Sequence, residues 1–258
     1  PEKIIQTVET QTLQPETIQI TLQSQGTVEA ATGGTLNVEV IGRILHVGSA
    51  FQTGGRFKKG DILLTLDPTD YQAAKAKAEA NLARAKLALQ EEQVRAEQAR
   101  KEWESAKSLA KEKPTPLVLR EPQLQLAQSE LRAAKQSAEL AIRNLERTQL
   151  RAPYDGVLTE KLADVGQVVT SGPGGTVAKA YSTETLEVRL PIPASEITFL
   201  SLSRKATVEL RAEIGGRIWT WPAHIDRDTG RIDPQTRFHH LVARIDKIDN
   251  HPDRPELL

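Results

Sequence analysis

The 258-residue chain contains no cysteine and no methionine. The first absence excludes disulfide frameworks, thiolate zinc sites and cysteine nucleophiles. The two together remove the soft ligands that a copper or silver site would need. Aromatic residues make up 4% of the chain and hydrophobic residues 38%; mean hydropathy is −0.42. That is lean for one thick core and suits several thin modules. Neither sign of charge is in excess, since 34 Lys and Arg balance 34 Asp and Glu. Nothing in that balance favours nucleic acid or an anionic lipid surface as a general partner. No apolar run approaches the ~20 residues that span a bilayer. Pro1 is neither an initiator nor a signal peptide, so any export signal or lipid anchor is expected to have been removed or to lie upstream.

Glycine is missing from one long stretch. Between Pro68 and Gln149 there is none, while Ala, Glu, Gln, Lys, Arg and Leu dominate, which is helix composition. On both sides glycines return with short β-rich runs: Ile18-Gln19-Ile20-Thr21-Leu22 before it, Ala206-Thr207-Val208-Glu209-Leu210 and Leu241-Val242-Ala243-Arg244-Ile245 after it. The expectation is an elongated, multi-module α+β chain in which a helical segment interrupts a β-domain.

Within the helical segment, Leu82, Ala85, Leu89, Ala96, Ala99, Trp103, Ala106 and Ala110 follow alternating steps of three and four, with Glu92 in the vacant seam slot. A second series runs through Leu117, Leu124, Ala127, Leu131, Ala134, Ala138, Ala141, Leu145 and Thr148, with Arg120 in its slot. Both are heptad patterns. The Lys113-Pro114-Thr115-Pro116 stretch stops the first helix, and Thr115 before Pro116 reads as an N-cap followed by an N1 proline. Pro122 either disturbs the first turns of the second helix or marks its start near Glu121. Folding back here predicts an antiparallel coiled-coil hairpin pairing Leu82 with Thr148, Ala85 with Leu145, Leu89 with Ala141 and Trp103 with Ala127. Its seam is built on Leu82, Leu89, Trp103, Leu124, Leu131 and Leu145. A first helix of about 45 residues would be roughly 65 Å long, so the hairpin must project. Its tip, comprising Lys113, Pro114, Thr115, Pro116, Leu117 and Arg120, is the candidate partner-binding site. Glu92 and Arg120 fall on the seam. Each can snorkel outward, or Arg120 can contact a partner.

The flanks of the hairpin resemble each other. Gly42-Arg43-Ile44, Gly54 and Gly60 on one side answer to Gly156-Val157-Leu158, Gly166 and Gly172 on the other, and both later glycine pairs are six residues apart. Two half-repeats, each too small to bury a core, are expected to close on one another as a sandwich. Gly42, Gly60, Gly156 and Gly166 are expected at tight turns that need positive φ.

Those residues resemble a known family. Val40-Ile41-Gly42-Arg43-Ile44, Phe57-Lys58-Lys59-Gly60-Asp61-Ile62-Leu63 and Leu66-Asp67-Pro68-Thr69-Asp70-Tyr71 look like the first half of the lipoyl-like domain of periplasmic adaptor subunits, the HlyD-type membrane fusion proteins. Leu145-Glu146-Arg147-Thr148-Gln149-Leu150-Arg151-Ala152-Pro153-Tyr154-Asp155-Gly156 resembles the stretch by which the hairpin re-enters the second half. Glu187-Val188-Arg189-Leu190-Pro191 and Ile232-Asp233-Pro234-Gln235-Thr236-Arg237 look like the family's β-barrel domain.

The resemblance implies a non-enzymatic adaptor without cofactor, in the periplasm of a Gram-negative bacterium and associated with the inner membrane. Such an adaptor bridges an inner-membrane transporter to an outer-membrane channel in a tripartite efflux pump, as a self-associating ring of six. The order of motifs is most like adaptors of resistance–nodulation–division (RND) transporters. An adaptor of an ABC-type exporter is the alternative within transport, and a structural coiled-coil protein the alternative outside it. The modules implied are a β-barrel from 1–33 and 186–258, a split lipoyl/biotinyl-like sandwich from 34–67 and 150–185, and the hairpin from 68–149. The family's membrane-proximal domain looks incomplete. The Arg, Leu and Ser that many such adaptors carry at the hairpin tip have no clear match in Leu109 to Arg120.

Other chemistry is disfavoured. A lipoyl carrier needs a modifiable lysine on a tight turn, and here the hairpin replaces that turn. Of the five histidines, His46, His224, His239, His240 and His251, the adjacent pair His239-His240 lies on a β-like run, where neighbours point to opposite faces and do not share a metal. Gly172-Pro173-Gly174-Gly175 lacks the Lys-Ser/Thr and helix start of a phosphate loop and reads as a turn.

Overall fold

A computed structural model describes residues 20–106, 113–199, 206–233 and 235–246. Parts of several sequence readings, at Ile18, Gln19, Ala110, Pro234 and His251, lie outside these residues. In chain order the elements are β1 (Val28–Ala30), β2 (Gly33–Asn37), β3 (Gly42–Val47), β4 (Arg56–Phe57), β5 (Ile62–Leu66), α1 (Thr69–Ala106) and α2 (Glu121–Glu146). They continue with β6 (Gln149–Arg151), β7 (Gly156–Lys161), β8 (Val168–Val169), β9 (Thr176–Ser182), β10 (Thr185–Pro193), β11 (Thr207–Ile214), β12 (Arg217–Ile232) and β13 (Phe238–Asp246). The chain divides into two units, Ala30–Glu184 and a unit drawn from both ends, Pro1–Glu29 with Thr185–Leu258.

The first unit is a sandwich of two four-stranded sheets, ordered β2-β9-β7-β4 and β6-β5-β3-β8. Exchanging β3 with β7, β4 with β8, β5 with β9 and β6 with β2 turns one order into the other. Each half therefore lends two strands, β2 and β4 or β6 and β8, to the sheet of the other half, and neither closes a core alone. The core forms between the sheets from Ile44, Leu63, Leu64, Leu66, Leu158 and Val177, each at most 1% exposed. Two symmetric clamps fix the halves. Gly166 N–H donates to the Ile44 carbonyl and Ile44 N–H to that of Gln167; Gly54 N–H donates to the Leu158 carbonyl and Leu158 N–H to that of Gly55.

Of the glycines expected at positive φ, Gly60 (90°) and Gly166 (88°) have it, as do their repeat partners Gly54 (80°) and Gly172 (87°). Gly42 and Gly156 do not. They sit in β3 and β7 and are glycine for closeness. A Cβ on Gly156 would stand 2.2 Å from the Tyr181 carbonyl oxygen, and one on Gly42 would stand 3.2 Å from the Leu66 Cβ.

The hairpin leaves this sandwich from two adjacent strands. β5 pairs with β6 through Thr65↔Gln149 and Leu64↔Leu150, and Leu66 N–H donates to the Thr148 carbonyl at 2.7 Å. This pairing sets the register of the helices, and it corrects the one expected from the heptads. Thr148 lies beside Leu66 and not beside Leu82. Counting equally up α1 and down α2 from that base, Leu89 stands level with Gln125 and not with Ala141. An alanine-rich heptad repeat matches itself again after every slip of seven, so it cannot choose among registers, whereas the β-ladder can.

The second unit is an antiparallel sheet, ordered β1-β10-β13-β12-β11. Alternate residues of β10, Leu186, Val188, Leu190 and Ile192, are buried, the period-two pattern of a sheet with one covered face. In the Asp233–Arg237 turn the Asp233 carboxylate accepts the N–H groups of Gln235 and Thr236. Those bonds hold its pKa below the usual carboxylate range.

Candidate functional site: the helical hairpin

At its base the hairpin is tied down by residues from both halves. Asp67 accepts the Thr69 hydroxyl at 2.6 Å and the Thr69 N–H at 3.0 Å, capping α1 just before Pro68 occupies its first turn. The Thr69 hydroxyl chiefly lowers the Asp67 pKa. The Tyr71 hydroxyl donates to the Ile41 carbonyl, and Arg147 pairs with Glu39 at 2.7 Å. The re-entry stretch is fixed residue by residue. Buried Thr148 donates its hydroxyl to the Leu145 carbonyl, Ala152 N–H donates to Asp61, Tyr154 OH to the Ala180 carbonyl, and Asp155 accepts Lys59 N–H.

The seam positions are those of the heptads. In α1, Leu82, Ala85, Leu89, Glu92, Ala96, Ala99 and Trp103 are buried or half-buried; in α2 so are Leu124, Ala127, Leu131, Ala134, Ala138, Ala141 and Leu145. Leu117, by contrast, is 66% exposed, Ala106 at the end of α1 is exposed as well, and neither is part of the seam.

Glu92, only 7% exposed, is the one buried charged side chain among the described residues. It accepts Arg120 Nε at 2.6 Å and Arg120 Nη2 at 3.0 Å, a bidentate fork. The hydrogen bond from Arg120 holds the Glu92 carboxyl below its usual range and raises the guanidinium. The two seam slots that the heptads left polar thus meet each other. The guanidinium is committed to Glu92.

Arg120 also has an unusual backbone, with φ 57°. It closes a single turn built on Thr115–Leu119. Val118 N–H donates to the Thr115 carbonyl, Arg120 N–H to that of Leu117, and Glu121 N–H to that of Pro116. The last two bonds form a Schellman motif with Arg120 in the left-handed position usually held by glycine. Pro116 therefore begins this isolated turn and not α2. The second helix starts at Glu121 with Pro122 in its first turn, because a proline farther inside a continuous helix would lose a hydrogen bond and clash with the turn before it.

Glu92 is not near the end of α1. The helix has 38 residues against 26 in α2, and from Glu92 to Ala106 it runs on for about 21 Å. Arg120 and the turn before it lie beside the shaft, so the sequence-based placing of Arg120 at the tip is corrected. Lys113 and Thr115 are exposed and Pro114 half-buried.

One feature escaped the seam reading. Ala73, Ala76, Ala80, Ala83, Leu87 and Val94 form a second stripe at steps of three, four and seven along α1, and every one is exposed. Leu87 is 56% and Val94 59% exposed. On α2, Leu126 (61%), Ala133 and Leu140 (49%) repeat every seven residues and are exposed too. The signal was in the sequence, but alanine in a helix is read as propensity before it is read as surface.

Residues 35–178 match the barrel-sandwich hybrid domain of RND membrane fusion proteins, more than half the chain. The chain belongs to the RND membrane fusion protein family. Among relatives, it is 28% identical over 235 residues to multidrug resistance protein MdtA of Escherichia fergusonii, covering 85% of this chain and 54% of the relative. It is 29% identical over 254 residues to MdtA of Klebsiella pneumoniae, covering 91% and 58%. The chain thus spans a little over half the length of these relatives.

Among solved structures, it resembles a MacA–MexA chimera carrying the Pseudomonas aeruginosa MexA α-hairpin domain, with TM-score 0.58, 21% identity, and coverage of 88% of this chain and 75% of the chimera. It also resembles the membrane fusion protein Spr0693 of Streptococcus pneumoniae, with TM-score 0.57, 20% identity and coverage of 86% and 88%. At these identities the structural likeness supports the fold, which is that of a membrane fusion protein.

Proposed function

We propose that this chain is a periplasmic adaptor that joins an inner-membrane transporter of the RND class to an outer-membrane channel in a Gram-negative bacterium. Its work is mechanical. Copies stand side by side around an axis, six of them by the family resemblance, with their hairpins walling a duct. Family membership supports the adaptor role, and the match to the RND membrane fusion protein domain supports the RND class over an ABC-type partner.

The observation that carries self-association is the height of the two outward stripes. Counting up α1 and down α2 from the Leu66–Thr148 bond, Ala73 is level with Ala141, Ala80 with Ala134 and Leu87 with Ala127. One residue from each of those α2 positions are Leu140, Ala133 and Leu126. Rotation about an axis parallel to the hairpin preserves height. The α1 stripe of one copy therefore meets the α2 stripe of the next as Ala73–Leu140, Ala80–Ala133 and Leu87–Leu126. Alanines there permit close approach, and each leucine pair removes apolar surface from water.

Because the chain has no cysteine, engineered thiols report this directly. In cells carrying one copy with Leu87→Cys and another with Leu126→Cys, oxidation should yield a mixed disulfide dimer. Absence of that dimer sinks the side-by-side reading. Affinity capture of the chain from detergent-solubilised membranes should recover an RND-type transporter; recovery of an ABC transporter instead overturns the assignment of class.

A further inference from the structure

Two adjacent strands carry the hairpin, and two exit points define only a line. The β5–β6 ladder resists separation and sliding of the helices, while a swing about that line breaks none of its hydrogen bonds. A third point, off the line, is needed to fix the tilt. We infer that residues 38–41 supply it. The segment is a strap that ties both helices to the rest of the sandwich and sets the angle at which the hairpin stands.

The strap is the crossing from β2 in one sheet to β3 in the other. It runs past the hairpin base, where the Arg43 carbonyl just beyond it accepts the Asp67 N–H at 2.9 Å. Its residues alternate between anchor and tie. Val38 and Val40 are buried, at 3% and 8% exposure, and Val38 N–H donates to the Gly175 carbonyl at 2.9 Å. Glu39 and Ile41 are exposed. The Glu39 carboxylate takes Arg147 Nε at 2.7 Å, and Arg147 is the C-cap of α2. The Ile41 carbonyl accepts the hydroxyl of Tyr71, in the first turn of α1, at 2.7 Å. Each helix thus receives one tie.

The internal repeat of the sandwich offers a comparison. Residues 152–155 make the matching crossing, from β6 to β7. Ala152 and Tyr154 pack into the core there as Val38 and Val40 do. The Tyr154 hydroxyl and the Asp155 carboxylate, however, bond to Ala180 and Lys59, inside the sandwich. Ties that reach out to helices belong to the crossing beside the hairpin.

An exposed ion pair contributes little to stability by itself, so Glu39 and Tyr71 are positioning residues and not props of the fold. Weak ties suffice to select one orientation among several that the ladder leaves close in energy. The strap acts within one chain and does not depend on how copies assemble.

Because the chain has no cysteine, Thr35→Cys on β2 and Gln128→Cys on α2, both exposed positions, can carry a pair of spin labels on the purified full chain, diluted with unlabelled chain. Gln128 stands about 30 Å along the helix from Thr148, where a tilt of ~10° displaces it by roughly 5 Å. Pulsed dipolar spectroscopy on the parent should give one narrow distance distribution. Glu39→Gln with Tyr71→Phe should shift or broaden it by several ångströms, while amide protection in β5 and β6 stays at the parent level. Glu160→Gln, which cuts an exposed ion pair to Lys179 within the sandwich, should change nothing. Glu39→Arg should broaden the distribution, and adding Arg147→Glu should narrow it again. A parent-like distribution in the double variant overturns the strap. Loss of protection in β5 and β6 overturns it as well, because the segment would then hold the sandwich together and not the tilt. A charge swap that fails to narrow the distribution removes the Glu39–Arg147 tie from it.

Discussion

Glu92 and Arg120 lie 28 residues apart in sequence and meet at 2.6 Å, the one ion pair among the described residues that joins the two arms of the hairpin across an otherwise alanine-rich seam. A carboxylate so buried is tolerable only when paired and hydrogen-bonded, and a guanidinium fork satisfies both of its oxygens. The seam around it is small-residued and tolerant of slippage, so the pair marks where α2 must begin.

The pair makes the acid stability of the hairpin predictable. The folded pKa of Glu92 is lowered, chiefly by the Arg120 hydrogen bond. Its contribution is therefore complete above the unfolded pKa and is lost as pH falls through the lower folded value. Thermal melts followed by helical circular dichroism should show a hairpin transition that holds from neutral pH to the usual glutamate range and declines below it. In Glu92→Gln the transition should already be lower at neutral pH, and its acid decline shallower. Identical pH profiles for both proteins would remove the pair from any account of hairpin stability.

The sandwich glycines separate by cause. Gly54→Ala and Gly166→Ala force a side chain into positive φ with open space around it, which costs about 1–2 kcal/mol each. Gly156→Ala places a Cβ 2.2 Å from a backbone oxygen of Tyr181, so β7 and β9 must separate, and it should be the most destabilising of the three. Gly34→Ala has nothing within 4 Å and no positive φ, and should stay within about 0.5 kcal/mol of the parent. Urea denaturation of the four variants tests the ranking. Gly156→Ala milder than Gly54→Ala would contradict the close strand approach.

Legibility in the sequence followed the range of the interactions. Seam positions from Leu82 to Trp103 and from Leu124 to Leu145 were readable, because a heptad is a local pattern. The register was not, because it is decided by the β5–β6 ladder outside the helices. Gly54, Gly60, Gly166 and Gly172 announced their turns by spacing. Gly42 and Gly156 were legible as special but not as strand residues, since the reason for Gly156 lies at Tyr181, far along the chain. At the candidate site, Glu92 and Arg120 were visible as polar interruptions. Their bond was hidden by the same register ambiguity that misplaced Leu89.

A proline inside α2 tests whether the helix is separable from its platform. Ala134→Pro removes a helical hydrogen bond and clashes with the preceding turn, at about 3 kcal/mol or more. Helical ellipticity should fall and lateral disulfide formation at Leu87–Leu126 should cease. Amide protection in β5 and β6 should persist, because the core of Leu64, Leu66 and Leu158 lies within the sandwich. Collapse of that protection would mean that the sandwich depends on the hairpin for folding.

Arg120 carries two roles that one substitution pulls in opposite directions. Its φ of 57° is a conformation that glycine adopts freely and arginine does not, so Arg120→Gly relieves the backbone of the Schellman turn. The same change deletes the fork to Glu92 and leaves the buried carboxylate with the longer Arg95 contact at 3.8 Å. Arg120→Lys keeps the charge and the backbone penalty but offers a point charge in place of the planar fork. If the ion pair governs, hydrogen exchange at the Arg120-position and Glu121 amides should quicken strongly in Arg120→Gly and less in Arg120→Lys. If backbone geometry governs, Arg120→Gly should exchange more slowly than the parent. That slower exchange would show that the backbone bonds of the turn suffice and that Glu92 is held there for another reason.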